Sequence, residues 1–357
     1  MSKDNFQLYT PEGWLNIEGI AKIPSLWLIV IVGARQVGKT FGALKYLMTN
    51  KDRRAIYMRR TVDEFDLITS HADLNPFLPL AEVGIESDIL KCGKNIWHFG
   101  YTKAEETEKG GIKTIMKDER GIGISLGTIA KMRGFNGSNF TDVYFDEFIP
   151  ERIVVKRGGE GDAMLNAYLT INGNRELKGK PPLKLWLTAN AFDISSPILS
   201  AFNLTDLVYE MSVTKKEYMI KDGVFIGVPQ SEKIVKQRTE TAMLSYMKKN
   251  NCSSEFYDMA VNNVFAYDSM GLVKKHPLSG YRPYCTFSDM YVWFNSGSFY
   301  VCKTPHNKRL KYGGSAEERV KAQMDFYRMK DMYIKGLVTF ESADVLLSFR
   351  KFFNIKL

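Results

Sequence analysis

The sequence has few of the side chains that build disulfide scaffolds or zinc centres. Its 357 residues include 4 cysteines and 4 histidines, so neither residue type is abundant. The cysteines are Cys92, Cys252, Cys285 and Cys302, and no two of them form a C-x-x-C pair. No histidine lies at ligand spacing beside them, which argues against a zinc site. Free thiols in a reducing compartment are the simplest interpretation.

Long apolar runs are also missing. The run LWLIVIV, residues 26–32, is far shorter than the roughly 18 uncharged apolar residues that a membrane span needs. The segment MSKDNFQLYT, residues 1–10, lacks the basic and then apolar pattern of a secretion signal. We therefore expect a cytosolic protein without a membrane partner.

The sequence does have enough apolar residues for packed cores, and its charge is unevenly distributed. Hydrophobic residues make up 45% and charged residues 25%, as in globular proteins, and the length of 357 fits two domains. Residues 1–200 carry 26 basic and 24 acidic side chains, whereas residues 201–357 carry 23 and 16. The basic excess of the second part favours a polyanion such as nucleic acid as a partner. The alternative is a basic surface that only serves solubility.

The stretch GARQVGKT fits the P-loop pattern G-x-x-x-x-G-K-[ST] at every fixed position. An apolar, β-branched run typical of a buried parallel strand precedes it, and FGALKYLMTN follows with helical spacing. The glycines let backbone N–H groups face phosphate, Lys39 would reach the β- and γ-phosphates, and the Thr40 hydroxyl would bind Mg²⁺. We predict that ATP is bound by Gly33, Ala34, Arg35, Gln36, Val37, Gly38, Lys39 and Thr40.

A second strand that ends in carboxylates is predicted in TDVYFDEF, residues 141–148. Asp146 would hold Mg²⁺ through its water shell, and Glu147 would act as the general base toward the attacking water. The alternative is an ordinary surface acidic pair at a strand end. The adjacent Asp and Glu favour hydrolysis over simple nucleotide binding.

A third strand is predicted in PPLKLWLTANA, with Thr188 and Asn190 at its tip. Asn190 would sense the γ-phosphate or position water, unless these side chains are simply a solvated strand end. Hydrolysis also needs a cation at the developing charge, and Arg175 in the preceding loop is our candidate for an arginine finger. For each arginine the alternative is a solvated surface residue. Further candidates are Arg133, Arg152 and Arg157, and Arg35 could contact phosphate.

Strands at 55–60 and 94–101 alternate with helical segments, which predicts an α/β domain with a mostly parallel, three-layer sheet over residues 1–200. Residues 101–120 are polar and glycine-broken, as in an exposed hairpin. Short β-runs (LVYEMSV, KEYMI, GVFIGV) predict a connecting segment over residues 201–230. A small basic α+β domain is predicted over residues 231–357, with helices at 231–250 and 315–336 and a hairpin at 290–303.

The P-loop with an internal arginine stands beside SLGTIAKMRGFNGSNFTDVYFDEF, residues 125–148. This combination resembles the terminase-like branch of the ASCE P-loop ATPases. With LTANA after the metal strand and a small basic C-terminal part, the chain is similar to the phi-29-like bacteriophage DNA-packaging ATPases. The similarity is firm over residues 25–200 and looser beyond.

That resemblance implies an ATP-driven motor that moves double-stranded DNA into a preformed capsid. It implies a ring of five subunits, docked in the host cytoplasm on the portal of the procapsid and scaffolded by a structural RNA. Arg175 lies where the family places a finger that acts on the neighbouring subunit. The C-terminal domain would resemble a vestigial RNase H-type nuclease.

Two other functions stay open at the level of sequence. One is a terminase large subunit that also cleaves DNA, but cleavage needs converging carboxylates that hold two metals. The acids of the C-terminal part are scattered and form no D-x-D or D-x-E pair. The other is a P-loop ATPase of plasmid or conjugative transfer. The candidate DNA-gripping residues, each of which could equally be a solvated surface charge, are Arg59, Arg60, Lys103, Lys109, Lys113 and Lys117.

Overall fold

The computed structural model describes residues 6–106, 111–129, 135–149, 159–190, 196–250, 252, 257 and 272–355. The chain divides into a first unit of residues 1–202 and 210–266, and a second unit of residues 203–209 and 267–357. No described helix combines the length and apolar character that a bilayer crossing requires.

Strands and helices are interspersed along both units. The strands are β1 (Leu28–Gly33), β2 (Ala55–Arg59), β3 (Ser87–Gly93), β4 (Ile96–Glu106), β5 (Ile112–Ser125), β6 (Asp142–Asp146), β7 (Lys184–Asn190), β8 (Tyr218–Lys221), β9 (Val224–Gly227), β10 (Arg282–Phe287), β11 (Met290–Asn295), β12 (Ser298–Cys302), β13 (Lys311–Tyr312) and β14 (Val338–Phe340). The helices are α1 (Ile17–Ala21), α2 (Lys39–Thr49), α3 (Val62–Ser70), α4 (Leu126–Ile129), α5 (Glu160–Asn172), α6 (Pro197–Ala201), α7 (Thr205–Thr214), α8 (Glu232–Thr239), α9 (Ala242–Asn250), α10 (Ala316–Asp325), α11 (Tyr327–Ile334) and α12 (Ala343–Phe352).

The first unit is built on a nine-stranded sheet with the order β3-β4-β5-β2-β6-β7-β1-β9-β8. The strands from β5 to β9 in this order are parallel, and antiparallel neighbours flank them. Every residue of β1 and β7 is buried, which requires cover on both faces of the sheet. The predicted α/β fold with a mostly parallel sheet is therefore confirmed.

The predicted exposed hairpin is present, and it is long. β4 and β5 pair antiparallel from Ile96↔Ile124 to Glu106↔Ile112, so the polar segment forms an arm at one end of the sheet. Of the candidate DNA-gripping lysines, Lys103, Lys113 and Lys117 lie on this arm. Lys109 lies outside the described residues.

The contacts divide the chain at other residues than the domain bounds that the sequence suggested. β9 pairs parallel with β1, from Leu28↔Val224 to Ile31↔Gly227, so residues 218–227 complete the main sheet instead of linking two domains. Residues 231–250 also belong to the first unit. LVYEMSV, predicted as a β-run, lies in α7, where Val208 and Met211 are buried at helical spacing.

The second unit contains a five-stranded sheet with the order β13-β10-β11-β12-β14. β10, β11 and β12 form an antiparallel meander, and the predicted hairpin over residues 290–303 is confirmed by β11 and β12. The predicted helix at 315–336 is two helices that meet at Phe326. α12 turns Val345, Leu346 and Phe349 into the core, so this unit is α+β.

Candidate nucleotide-binding site

The predicted P-loop connects a buried strand to a helix, as its pattern requires. β1 ends at Gly33, and α2 begins at Lys39 directly after Gly38. Gly38 has a φ of 88°, a left-handed conformation that side chains with a Cβ adopt only with strain. The loop therefore leads directly into the first turn of α2. The N–H groups of that turn have no partner within the helix and favour an anion.

The Lys39 side chain is buried inside the loop. Its Nζ donates to the carbonyl oxygens of Gly33 at 3.1 Å and Ala34 at 2.7 Å, and to Oδ1 of Asn190 at 3.1 Å. Burial lowers the pKa of Lys39, and the nearby Glu147 and Asp146 carboxylates partly oppose this shift. A phosphate group in the loop would replace one or more of these acceptors as a partner of the ammonium.

Asp146 ends β6, and three hydroxyl groups hold its carboxylate. Oδ1 accepts from Thr40 Oγ1 at 3.1 Å, Tyr144 OH at 2.9 Å and Thr188 Oγ1 at 2.8 Å. The Thr188 hydroxyl is buried between β6 and β7, which excludes the solvated strand end considered for it. Side chains from α2, β6 and β7 therefore converge on one carboxylate.

Asp146 and Thr40 supply the kind of donors that Mg²⁺ prefers. Carboxylate and hydroxyl oxygens are hard ligands, and Mg²⁺ bound with nucleotide needs only one or two protein groups. The Thr40 hydroxyl lies 3.1 and 3.2 Å from the two Asp146 oxygens, close enough for both to face one ion. Within the described residues, no three His, Cys, Asp or Glu side chains gather as a metal cluster. The residues present thus fit a magnesium ion shared with phosphate.

Glu147 adopts an unusual backbone conformation beside this carboxylate. Its φ is 55°, in the left-handed region that few non-glycine residues occupy, which indicates local strain at the strand end. Asn190 Nδ2 donates to Glu147 Oε1 at 3.0 Å, so one amide joins Lys39 and Glu147. Burial, followed by the Asp146 charge, raises the pKa of Glu147 to about 7.

Arg59 is the site residue whose position the sequence did not predict. The sequence makes it a candidate for DNA contact, but its Nη2 lies 3.3 Å from Asp146 Oδ2 and its Nε donates to Tyr57 OH at 2.9 Å. β2 is the neighbour of β6, so an arginine at the end of β2 reaches the metal strand. The sequence does not give the order of the strands in the sheet. β2 and β6 are neighbours in the sheet although they are far apart in the sequence. Arg60, the other candidate, is buried and pairs with Glu160 at 2.7 Å.

Arg175 is not brought to this site. Its guanidinium is buried and donates to the carbonyl oxygens of Pro181 at 3.1 Å, Ser138 at 3.1 Å and Phe140 at 2.6 Å. These carbonyls precede β7 and β6, at the amino edge of the sheet, whereas Asp146 and Asn190 lie at the carboxyl edge. The Arg175 guanidinium is thus engaged within its own chain, and its role as a finger toward a neighbouring subunit stays a prediction. Arg133, Arg152 and Arg157 lie outside the described residues.

Solved structures that resemble this chain come from phage packaging motors. A chain from the bacteriophage Phi-29 viral genome packaging motor assembly matches with a TM-score of 0.62 and 17% identity, covering 97% of this chain and 100% of that chain. A chain from the Phi-28 gp11 DNA packaging motor matches with a TM-score of 0.60 and 18% identity, covering 98% and 99%. No family model and no curated protein sequence matches. The chain has the fold of these motors, and the predicted structural resemblance is confirmed.

Proposed function

We propose that this protein is the ATPase of a viral packaging motor that moves double-stranded DNA into a preformed capsid. One observation supports this function above all. The side chains that the P-loop chemistry needs, Lys39, Thr40, Asp146, Glu147 and Asn190, meet at one edge of the sheet in a chain with the fold of packaging motors.

Each of these residues has a defined part in hydrolysis. Lys39 and the N–H groups of the loop would bind the phosphates, and Thr40 and Asp146 would hold Mg²⁺, which would supply charge neutralisation to the phosphates. Glu147 takes a proton from the attacking water, because its raised pKa makes it a stronger base than a solvated glutamate. Asn190 orients that carboxylate through its hydrogen bond.

We further propose the assembly that the resemblance implies. The subunits form a ring of five on the portal of the procapsid, in the host cytoplasm, with a structural RNA as scaffold. The basic excess of residues 201–357, 23 basic against 16 acidic side chains, supports contact with a nucleic-acid backbone.

The nuclease alternative receives no support from the second unit. Asp289 forms an ion pair with Lys303, and Asp325 accepts a hydrogen bond from Tyr312 OH at 2.7 Å. The second unit's described residues contain no cluster of three His, Cys, Asp or Glu side chains for a metal. We therefore propose translocation without cleavage.

ATP hydrolysis by the purified protein in Mg²⁺ tests the nucleotide site. We expect turnover in the native chain and near-complete loss in Lys39→Ala, which removes the phosphate-binding ammonium. The exposed Lys45→Ala, on the same helix, is the matched control and keeps turnover. Equal activity in the Lys39→Ala and native proteins would overturn the assignment of this loop.

A further inference from the structure

The helix α8 is anchored beside the P-loop. Its N-cap Ser231 donates to Gly13 O at 2.8 Å, and Lys233 Nζ donates to Pro11 O at 2.9 Å. Ile234 packs with Ala34 and Val37, two residues of the loop itself. These contacts fix one face of α8 against the nucleotide-binding backbone within the first unit.

Arg238 lies one helical turn after Ile234, on the same face of α8. Its side chain is 8% exposed, and its Nε and Nη1 atoms are buried without a hydrogen-bond partner among the described residues. Buried guanidinium groups are normally paired, because desolvation without compensation is costly. In the part of the chain that the structure describes, no carboxylate forms an ion pair with Arg238.

The surroundings of Arg238 are positively charged. Burial and the nearby charge of Arg35 lower the pKa of Arg238. Arg238 in turn acts on Lys39, whose pKa its charge lowers. Arg35, Lys39 and Arg238 thus bring positive charge to one loop, and the Glu147 and Asp146 carboxylates offset part of it at Lys39. This charge would attract a multivalent anion to the loop.

We propose that Arg238 is a phosphate-binding residue of its own subunit's site, and that its guanidinium pairs with the polyphosphate of the nucleotide in the P-loop. This inference rests on the proposed function. Bidentate pairing with phosphate supplies the partners that the guanidinium lacks. Because α8 and the loop belong to one unit, the residue acts in the subunit that carries it. Arg238 is thus a candidate, beside Arg175, for the additional cation.

Binding of the non-hydrolysable analogue AMP-PNP with Mg²⁺, measured by calorimetry on the full chain, tests the proposal. We expect Arg238→Gln to weaken binding by roughly 10- to 100-fold, the effect of losing a charge-assisted hydrogen bond. Arg238→Lys keeps the charge without the planar fork, and we expect an intermediate loss. Lys236→Gln, which removes an exposed charge from the same helix, should bind as the native chain does.

Thermal unfolding separates this role from a structural one. Without nucleotide, we expect Arg238→Gln to be as stable as the native chain or more stable, since it removes a buried charge that faces other cations. With AMP-PNP, its stabilisation should be smaller than that of the native chain. A loss of stability without nucleotide, together with unchanged affinity, would make Arg238 a structural residue and overturn the proposal.

The outcomes also separate this inference from the proposed function. If the native chain binds AMP-PNP and both Arg238 variants bind equally well, the role of Arg238 is wrong and the nucleotide site stands. If the native chain itself does not bind, the nucleotide site fails and the role of Arg238 fails with it.

Discussion

At the scale of single residues, the neighbours Asp146 and Glu147 have different environments, which supports different roles. Three hydroxyl groups donate to Oδ1 of Asp146 and hold its carboxylate in place, as suits a residue that holds an ion. Glu147 has a left-handed backbone and one amide partner, Asn190. At the end of β6, the Asp146 carboxylate is therefore held by hydrogen bonds, and the Glu147 carboxylate is the one we assign to proton transfer.

Replacement of Glu147 tests this division directly. We expect Glu147→Gln to lower turnover by about 10²- to 10⁴-fold, because the general base is lost. Nucleotide affinity should change little, since the amide keeps the shape of the side chain. Phosphate release and the Kd of ATP measure the two effects. Near-normal turnover would exclude Glu147 as the base, and Glu240→Gln at an exposed position is the control.

The pH dependence of the reaction follows from the same residue. Because the pKa of Glu147 is raised to about 7, we expect kcat/KM to rise as pH increases through that value, where the base loses its proton. The stability effect has the opposite sign. A carboxyl group whose folded pKa is raised loses its stabilising contribution as pH rises from 4.5 through about 7. Unfolding of the native chain and Glu147→Gln across this range should show the variant relatively more stable at high pH. A flat pH profile of kcat/KM would contradict the assignment.

Arg175 gives a contrasting prediction about stability. Arg175→Ala removes the donor to the carbonyl groups of Ser138, Phe140 and Pro181, and the hydrogen bond to Phe140 is buried, so we expect a loss of roughly 1–3 kcal/mol in the free energy of unfolding. Denaturant unfolding measures this loss, and the exposed Lys178→Ala is the control. An Arg175→Ala variant with native stability but no turnover in assembled rings would support the finger role instead.

Whether a residue of the site could be predicted from the sequence depends on how far apart its contacts lie along the chain. Lys39, Thr40 and the Asp146–Glu147 pair could be predicted because each depends on a local strand and the residues just after it. The contact of Arg59 with Asp146 depends on β2 lying beside β6. Arg238 depends on the packing of a helix almost 200 residues beyond the loop, which no local pattern encodes.

At the scale of elements, local periodicity predicted some structures well and failed where packing decides. β1 and α2 follow from an apolar run and helical spacing, and the Ser315–Glu318 capping box marks the start of α10. The segment LVYEMSV has enough apolar residues for a strand or a helix. It forms part of α7, in which Val208 and Met211 are buried at helical spacing. Residues 218–227 form a hairpin of two of the predicted β-runs, but the pairing of β9 with β1 is a long-range contact that the sequence did not reveal.

That pairing predicts where the chain can be shortened. A fragment of residues 1–200 lacks β9 and leaves the edge of β1 unpaired, so we expect it to aggregate and bind no ATP. A fragment of residues 1–266 keeps β9 and α8, and we expect a soluble protein that binds ATP. Size-exclusion chromatography and calorimetry compare the two fragments. Native ATP affinity in the shorter fragment would show that β9 is dispensable.

At the scale of the whole molecule, the two units differ in what they can contribute. The first unit contains every residue assigned to the nucleotide site. Residues 267–357, which belong to the second unit, carry 15 basic and 8 acidic side chains. Hydrolysis in one part and a basic excess in the other favour a protein whose turnover depends on a polyanionic partner.

This dependence gives the prediction that separates the proposed motor from its alternatives. We expect double-stranded DNA to stimulate ATP hydrolysis in Mg²⁺, and we expect the stimulation to weaken as salt rises, because phosphate contacts release counterions. The DNA should run intact on a gel after the reaction, since the acids of the second unit do not gather around a metal site within the described residues. Lys39→Ala with the same DNA is the control for turnover at this site. DNA cut in a Mg²⁺-dependent way would favour the terminase with nuclease activity, whereas turnover indifferent to DNA would favour a P-loop ATPase outside packaging.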